Sequence, residues 1–461
     1  MSKKLYGHDN PTSDIMLQAF YWDSMWKDKS GKWYRHLETM VDDIRSAKIS
    51  LVWLPPPSKS RVTTFVGYTP MDYYDLGEFK QWVQDWDSEN HRYVWNQHET
   101  EATLYGKKDQ LLTLITKLKA AAIRPIADIV INHRAGQQHN EEGERIRWQG
   151  DEHAIASGKM AWGDQTSDPE EITTGTGGGH VEDDGGSDFG GNLAHANPKV
   201  RAEIIEWMRW LRDVIGFEGW RYDYARGYAP NHIAEYNYGT QPYLSVGEYW
   251  PDGADVQPIY DWIDRTDDFH VGQKSLAFDF PLQVHLKEIF WGGRPFAELA
   301  RWQDSLVSLT GGWPEKSVTF LDNHDTYRKP FSDFPADNKR LVQGYAFLLT
   351  HPGIPCIFWN HLFKRSDRHA FLKIGELCRL RVENGITNQS DVEVLVTEED
   401  CYAALIDEHI IVKIGDQFWN PEDVPGNWRL QLSGRGWAIW RERCRRATNY
   451  PNGCCDCKCN F

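Results

Sequence analysis

Residues 216–228 read GFEGWRYDYARGY, and the first eight of them have the look of a buried strand. Strand side chains alternate between faces, so Arg221 and Asp223 share one face while Trp220 and Tyr222 share the other. An isolated buried charge is costly, which means that Arg221 and Asp223 must be paired, partly solvated, or both. If this were the only such strand, an internal ion pair bracing the fold would explain it.

Three other short apolar runs end in the same kind of residue. YLSVGEYW (243–250) ends at Glu248, SVTFLDNHD (317–325) ends near His324 and Asp325, and RPIADIVINH (124–133) carries Asp128 inside and Asn132 and His133 at its end. Across the chain, eight strand candidates emerge at about 14–20, 49–54, 124–131, 217–223, 244–248, 276–280, 317–321 and 354–358. Between them run helical patterns, such as the spacing of Leu37, Met40, Val41 and Ile44 or the segment EIIEWMRWLRDVI. Eight strands alternating with helices predict an α/β fold, a (β/α)8 TIM barrel whose active site lies at the C-terminal ends of the strands.

Residues 134–196, rich in Gly, Asp and Glu, are too long for a structureless loop and read as an inserted irregular subdomain after the third strand. Their glycines lack the G-K-[ST] ending of a phosphate loop. Beyond residue 383 the pattern becomes DVEVLVTEEDCYAALIDEHIIVKIG, alternating and β-branched, which predicts a small C-terminal antiparallel β domain. The expected division is 1–133 with 197–383 for the barrel, 134–196 for the insertion and 384–461 for the β domain.

The chain has 461 residues and a formal net charge of −16, a balance that argues against a phosphate-backbone binder. Its 22 Trp suit the flat faces of sugars, although core packing accounts for many of them. No apolar run reaches the ~20 residues that span a bilayer, and MSKKLYGHDNPTSD lacks the apolar centre of a secretory signal, so a soluble, cytoplasmic monomer is expected. Five of the eight Cys crowd the tail (444, 454, 455, 457, 459), where disulfides, a soft metal and an incidental flexible tail are all conceivable and the last is favoured.

Several carboxylates around one barrel mouth suit glycoside hydrolysis, in which one carboxylate attacks the anomeric carbon and a protonated one serves the leaving oxygen. Arg221 on the same face favours the charged form of Asp223, the expected nucleophile. Glu248, with a longer reach, aromatic neighbours Tyr249 and Trp250 and nearby anions, is the expected proton donor. Asp325 is left to support developing positive charge, and His133 and His324 to donate hydrogen bonds to hydroxyls.

These four motifs, DIVINH (128–133), GWRYDYARGY (219–228), VGEYW (246–250) and FLDNHD (320–325), occur in the order found in the α-amylase family, glycoside hydrolase family 13, which the chain resembles over most of 14–380. WLPPPSKS (53–60), GYTPMDYYDLGEF (67–79) and LLTHPGIPCIFW (348–359) are similar to plant and archaeal members. The resemblance implies retaining cleavage of internal α-1,4-glucosidic bonds, with Asp223 as nucleophile, Glu248 as acid/base and Asp325 as transition-state stabiliser. It implies substrate-binding roles for Arg221, His133, His324, Tyr68 and Trp250.

It also implies calcium between the insertion and the barrel, held by Asn132, Asp183 (or Asp184), Asn192 and Gly227. Here the chain departs from the family: the ligand segment that reads PDIDH or PDIAH in relatives is GNLAH at 191–195, so Asn192 stands where an Asp is expected. One negative charge fewer predicts a weaker site, and an insertion held without metal stays open. Transglycosylases share the motifs, and a non-catalytic starch-binding protein would share the fold.

Overall fold

The computed structural model describes residues 10–25, 32–63, 65–87, 92–135, 137–139, 145–148, 155–160, 191–252, 255–267, 273–301, 305, 312–328, 334, 338–364 and 368–443. Eight parallel strands close into a barrel: β1 (Met16–Gln18), β2 (Leu51–Trp53), β3 (Arg124–Ile129), β4 (Gly219–Tyr222), β5 (Leu244–Gly247), β6 (Leu276–Phe278), β7 (Ser317–Phe320) and β8 (Ile354–Phe358). Closure is made by β1, which pairs with β2 through Leu17↔Val52 and with β8 through Leu17↔Ile357. All eight strands fall within the ranges expected from the sequence.

Helices α1 (Trp33–Ser46), α2 (Lys108–Ala120), α3 (Pro198–Trp210), α4 (Pro230–Thr240), α5 (Gln257–Arg265), α6 (Phe280–Phe290), α7 (Asn338–Thr350) and α8 (Arg368–Glu383) alternate with them. Helix α1 illustrates why they dock: Leu37, Val41 and Ile44 recur at helical spacing and are buried. The return from helix to strand follows a repeated recipe. A residue with positive φ stands one to three positions before the strand at Lys48 (60°), Ala122 (60°), Gly216 (102°), Gln241 (51°) and Gly353 (89°). Only two of the five are glycine, so the tight reversal is imposed on side-chain-bearing residues by the packing around them.

A five-stranded antiparallel sheet follows: β9 (Val392–Glu398), β10 (Cys401–Ile406), β11 (Ile410–Ile414), β12 (Trp428–Gly434) and β13 (Trp437–Glu442), in the order β9-β10-β11-β13-β12. Its buried face, including Tyr402, Val412 and Ile439, belongs to the same apolar cluster as the barrel. Polar contacts fasten the join. Gln343 Nε2 in α7 donates to Gly436 O at 2.7 Å, and His351 Nε2 lies 2.9 Å from the Tyr402 hydroxyl. Cys356, Cys378 and Cys401 are buried free thiols, while the Cys-rich tail lies outside the described residues.

One departure from the sequence reading stands out. A hairpin of Gln81–Asp87 with Arg92–Thr100 lies between β2 and α2, in a stretch that the sequence reading did not single out as strand. Most of 134–196 is outside the described residues. What is described there includes a short antiparallel pairing of His133–Arg134 with Gly191–Asn192 and a small pair of Gln137–His139 with Arg145–Trp148. Among the described residues, no helix is long and apolar enough to cross a membrane.

Gly247, at the end of β5, leaves room for α5: a Cβ there would sit 2.2 Å from the ring of Trp262, which is itself buried. Gly247→Ala should therefore overpack the joint and destabilise the protein by about 1–3 kcal/mol. Urea unfolding of the two proteins measures it, and equal midpoints would show that Trp262 yields freely.

Candidate active site

The strand ends bring the expected charges together. Register places Arg221 of β4 beside Asp128 of β3, and one guanidinium serves three carboxylates. Arg221 Nη1 donates to Asp128 Oδ1 and to Asp223 Oδ1, both at 2.7 Å. Nη2 lies 2.5 Å from Glu248 Oε1, close enough for an ion pair although the two are not aligned as a hydrogen bond. The Arg221 side chain is fully buried, and those of Asp223 and Glu248 are 10% and 9% exposed, so the pair presents narrow openings at the mouth. Trp53 and Tyr68 hold the far side: the guanidinium carbon lies 4.7 Å from the Trp53 ring centroid, and both residues donate to Asp128 Oδ2, at 3.0 and 2.9 Å.

Backbone bonds set the heights of the carboxylates. Asp223 N donates to Ile129 O, Glu248 N to Tyr222 O, and Ala225 N to Glu248 O, which extends the ladder one step beyond each strand. Tyr224 then takes φ of +43°, an uncommon value for a bulky residue, and turns its N–H toward Glu248 Oε2 at 3.2 Å. The chain is bent sharply between the two acids.

Asp325 arrives from β7 on a turn built by its neighbours. Asn323 Oδ1 accepts from the backbone N–H groups of Asp325 (2.8 Å) and Thr326 (2.9 Å), and the Thr326 hydroxyl donates to Asp322 Oδ1 at 3.0 Å. Gln18 Nε2, from β1, donates to His324 Nδ1 at 2.9 Å, which leaves the Nε2–H of a neutral ring facing Asp325 Oδ2 at 3.3 Å. Burial and Arg221 lower the His324 pKa to about 3, so this contact is not an ion pair at neutral pH. The Tyr68 ring lies against His324, with centroids 5.1 Å apart and an angle of 16°.

His133 Nε2 donates to the Tyr68 carbonyl at 2.8 Å, so it grips the loop that carries Tyr68. Trp250 is half-buried at the rim and stacks on Phe280 at 4.6 Å. Gln18, Trp53 and Asn323 were not singled out from the sequence. Gln18 had a signal, a lone polar residue within the apolar run of β1.

The electrostatics belong to the cluster. Burial raises the Asp223 pKa well above the usual carboxylate range; Arg221 opposes this, and Glu248 and Asp128 add to it. The expected influence of Arg221 is thus present but outweighed by desolvation. Asp325 is also raised, by the crowding of protein atoms and against the pull of Arg221, although 35% of its side chain opens to solvent. Acids this close to one cation titrate together.

On the metal side, Asn132 and Asn192 lie on neighbouring segments: Asn192 faces His133 in register, and Leu193 N donates to Asn132 O at 3.0 Å. Asn192 is 2% exposed, and neither its amide oxygen nor its nitrogen has a hydrogen-bond partner. A Cβ on Gly227 would lie 1.9 Å from Asn132 Oδ1, so only glycine lets the backbone approach that oxygen. Asp183 and Asp184 lie outside the described residues.

Asp128 gives a pH test. Burial raises its pKa from 3.8 to about 6, against the pull of Arg221 and Tyr68. The folded state thus holds this proton more tightly than the unfolded chain, so the associated stability is complete below about pH 4 and lost as the pH rises through about 6. Melting curves should show Asp128→Asn gaining on wild type across that window; a constant gap would mean that Asp128 stays ionised throughout.

Comparison with known proteins agrees with this architecture. Residues 41–362 match the model of the alpha amylase catalytic domain, and residues 383–441 that of the alpha-amylase C-terminal beta-sheet domain. The chain is 34% identical to probable alpha-amylase 2 of Arabidopsis thaliana over 93% of its own length and 94% of the relative's. It is 31% identical to the chloroplastic alpha-amylase 3 of the same plant, over 93% of this chain and 44% of that one. Among solved structures, an alpha-amylase of Geobacillus thermoleovorans complexed with acarbose aligns over 94% of this chain and 98% of its own, with a TM-score of 0.64 and 16% identity. A gamma-CGTase from Bacillus clarkii reaches 0.66 at 15% identity, covering 96% and 71%. At those identities the likeness speaks to the fold alone. The matched catalytic and C-terminal domains and the Arabidopsis relative place the chain in the alpha-amylase family.

Proposed function

We infer that this protein is a retaining, endo-acting α-amylase that hydrolyses internal α-1,4-glucosidic bonds of starch, glycogen and maltooligosaccharides. The observation that carries the reading is the single guanidinium of Arg221 in contact with both Asp223 and Glu248. Sharing one small cation keeps the two acids near each other, as the ~5–5.5 Å separation of a retaining pair demands.

In the proposed reaction an Asp223 carboxylate oxygen attacks the anomeric carbon while Glu248 gives its proton to the departing glycosidic oxygen. A glycosyl ester forms, the C1–O bond to the leaving chain breaks, and Glu248 is left as a carboxylate. It then takes a proton from water, the hydroxyl replaces Asp223 at C1, and both acids return to their starting states. Burial makes an ionised Asp223 poorly solvated and therefore reactive, and the proton retained by the cluster must rest on Glu248 for the bond to break. Asp325 faces the positive charge that develops on the sugar ring. His324 offers its Nε2–H to a hydroxyl, Tyr68 and Trp250 offer ring faces, and His133 acts through the Tyr68 loop.

The calcium reading rests on donor chemistry. The amide oxygens of Asn132 and Asn192 and the carbonyl of Gly227 are hard ligands of the kind calcium takes, and Asp183 would add charge. A bound ion would also satisfy the buried amide oxygen of Asn192, which otherwise costs about 1–3 kcal/mol. Its part would be to fasten the insertion to the barrel beside the cleft. The division into barrel (1–133 and 197–383), insertion (134–196) and β domain (384–461), action as a cytoplasmic monomer, and independence of nucleic acid and membrane belong to the same proposal.

Proton NMR of the protein acting on soluble starch tests the chemistry. New reducing ends should appear first as the α-anomer, and Asp223→Asn should lose at least ~10³-fold in rate while remaining folded; an active, folded variant overturns the assignment. Redistribution of chain lengths with few new ends would mean a transferase. For calcium, a chelator should lower the melting temperature by several degrees, and Asn192→Asp should restore it at lower calcium than wild type requires. A transition that ignores the chelator would count against a structural ion.

A further inference from the structure

Helix α6 has one face the core does not use. Leu282, Leu286, Ile289 and Phe290 are buried, whereas Val284 and Trp291, seven residues apart on the other side, are 36% and 55% exposed. Together with Trp250 and Thr326 they line a groove of about 680 Å³ on the outside of the barrel. That size lies within the ~300–1,000 Å³ typical of small-molecule sites.

The groove begins at the catalytic rim. Trp250 follows Glu248 by two residues and Thr326 follows Asp325 by one, so both entrance residues are fixed by the strand ends that carry the candidate acids. Trp250 is backed by Phe280 in a stacked pair at 4.6 Å and 18°, which holds its ring in place. At the far end α6 is stopped by Gly292, with φ of +83°, and Gly293 N donates to Glu288 O at 2.9 Å. This reversal brings Arg294 back to Glu288, 2.7 Å away, beside the exposed Trp291 ring.

The charges in the groove cancel. Lys287 Nζ is held at 3.0 Å by Asp322 Oδ1 and by the Thr326 carbonyl, and Arg294 is paired with Glu288. Among the described residues that line the groove, no unbalanced cation is offered to a phosphate or an acidic peptide. What remains is an indole at each end with amide, ammonium, guanidinium and carboxylate groups between them, a surface matched to an uncharged polyol with alternating apolar faces and hydroxyl edges.

We propose that this groove is a second binding site for α-1,4-linked glucan, reached by chains that leave the catalytic cleft past Trp250. The assignment rests on the α-amylase reading, and it gives that enzyme a hold on long substrates that short ones do not experience.

The test is calorimetric titration with β-cyclodextrin, a ring of α-1,4-linked glucose, in the presence of saturating acarbose to fill the cleft. Wild type should still bind the ring, Trp291→Ala should weaken binding at least tenfold, and Trp291→Phe should stay within about threefold. Val284→Arg, which puts a charged side chain into the groove, should repeat the loss. Hydrolysis of a chromogenic maltotrioside by all three variants should remain within twofold of wild type, reporting their folding and, through the wild-type rate, the catalytic reading separately. Absence of ring binding by wild type, or equal binding by Trp291→Ala and Val284→Arg, would overturn the groove whatever the activity. So would a dimer that Trp291→Ala abolishes, which would give the face to a second copy of the chain.

Discussion

The buried guanidinium of Arg221 is the constraint around which the site is arranged. Placed alone in the barrel it would be prohibitively costly, and Asp128, Asp223 and Glu248 must converge on it from three adjacent strands. The convergence leaves more carboxylates than cations; burial is the main reason that Asp128 and Asp223 are raised against the pull of the same arginine, and the neighbouring carboxylates add to it. Stability and reactivity are thus opposed here. An arrangement comfortable for the fold would have provided a second cation, and would have left the carboxylates too well satisfied to exchange a proton.

Around that centre, neutral groups do the orienting. Tyr68 and Trp53 hold Asp128, His133 holds the Tyr68 carbonyl, Asn323 holds the turn under Asp325, and Gln18 fixes the ring of His324. These holding groups keep one charge state near neutrality: burial lowers the pKa of His133, takes that of His324 to about 3, and raises that of Tyr68.

The barrel was legible because each strand is a short apolar run with a helical pattern beside it, and because polar residues accumulate at the strand ends. Arg221, Asp223, Glu248, His324 and Asp325 could be grouped by alternation and position alone, before any contact was known. What escaped was set by tertiary contact. Gln18 shows in the sequence only as a lone polar residue in an apolar run, and its link to His324 emerges once β1 is seen beside the β7 loop; the pairing of 81–87 with 92–100 lies in a stretch that was not singled out as strand. The influence of Arg221 on Asp223 was inferred correctly in kind, but its rank against desolvation could not be read from spacing. The outer face of α6 was hidden for another reason: Val284 and Trp291 look like core residues at helical spacing, and only the packed helix reveals which side they occupy.

The hydrogen bond from Gln18 to His324 joins residues 306 positions apart and closes the site across the seam where β1 meets β8. Contacts of such sequence separation form late, because loop entropy is lost before they repay it. At ribosomal rates of about 5–20 residues per second, the amino-terminal strand waits roughly 20–70 s before β8 exists. During that interval the edge of β1 that β8 covers has no partner strand. Closing the seam is therefore the step that brings Gln18 against His324 and fixes that ring beside Asp325.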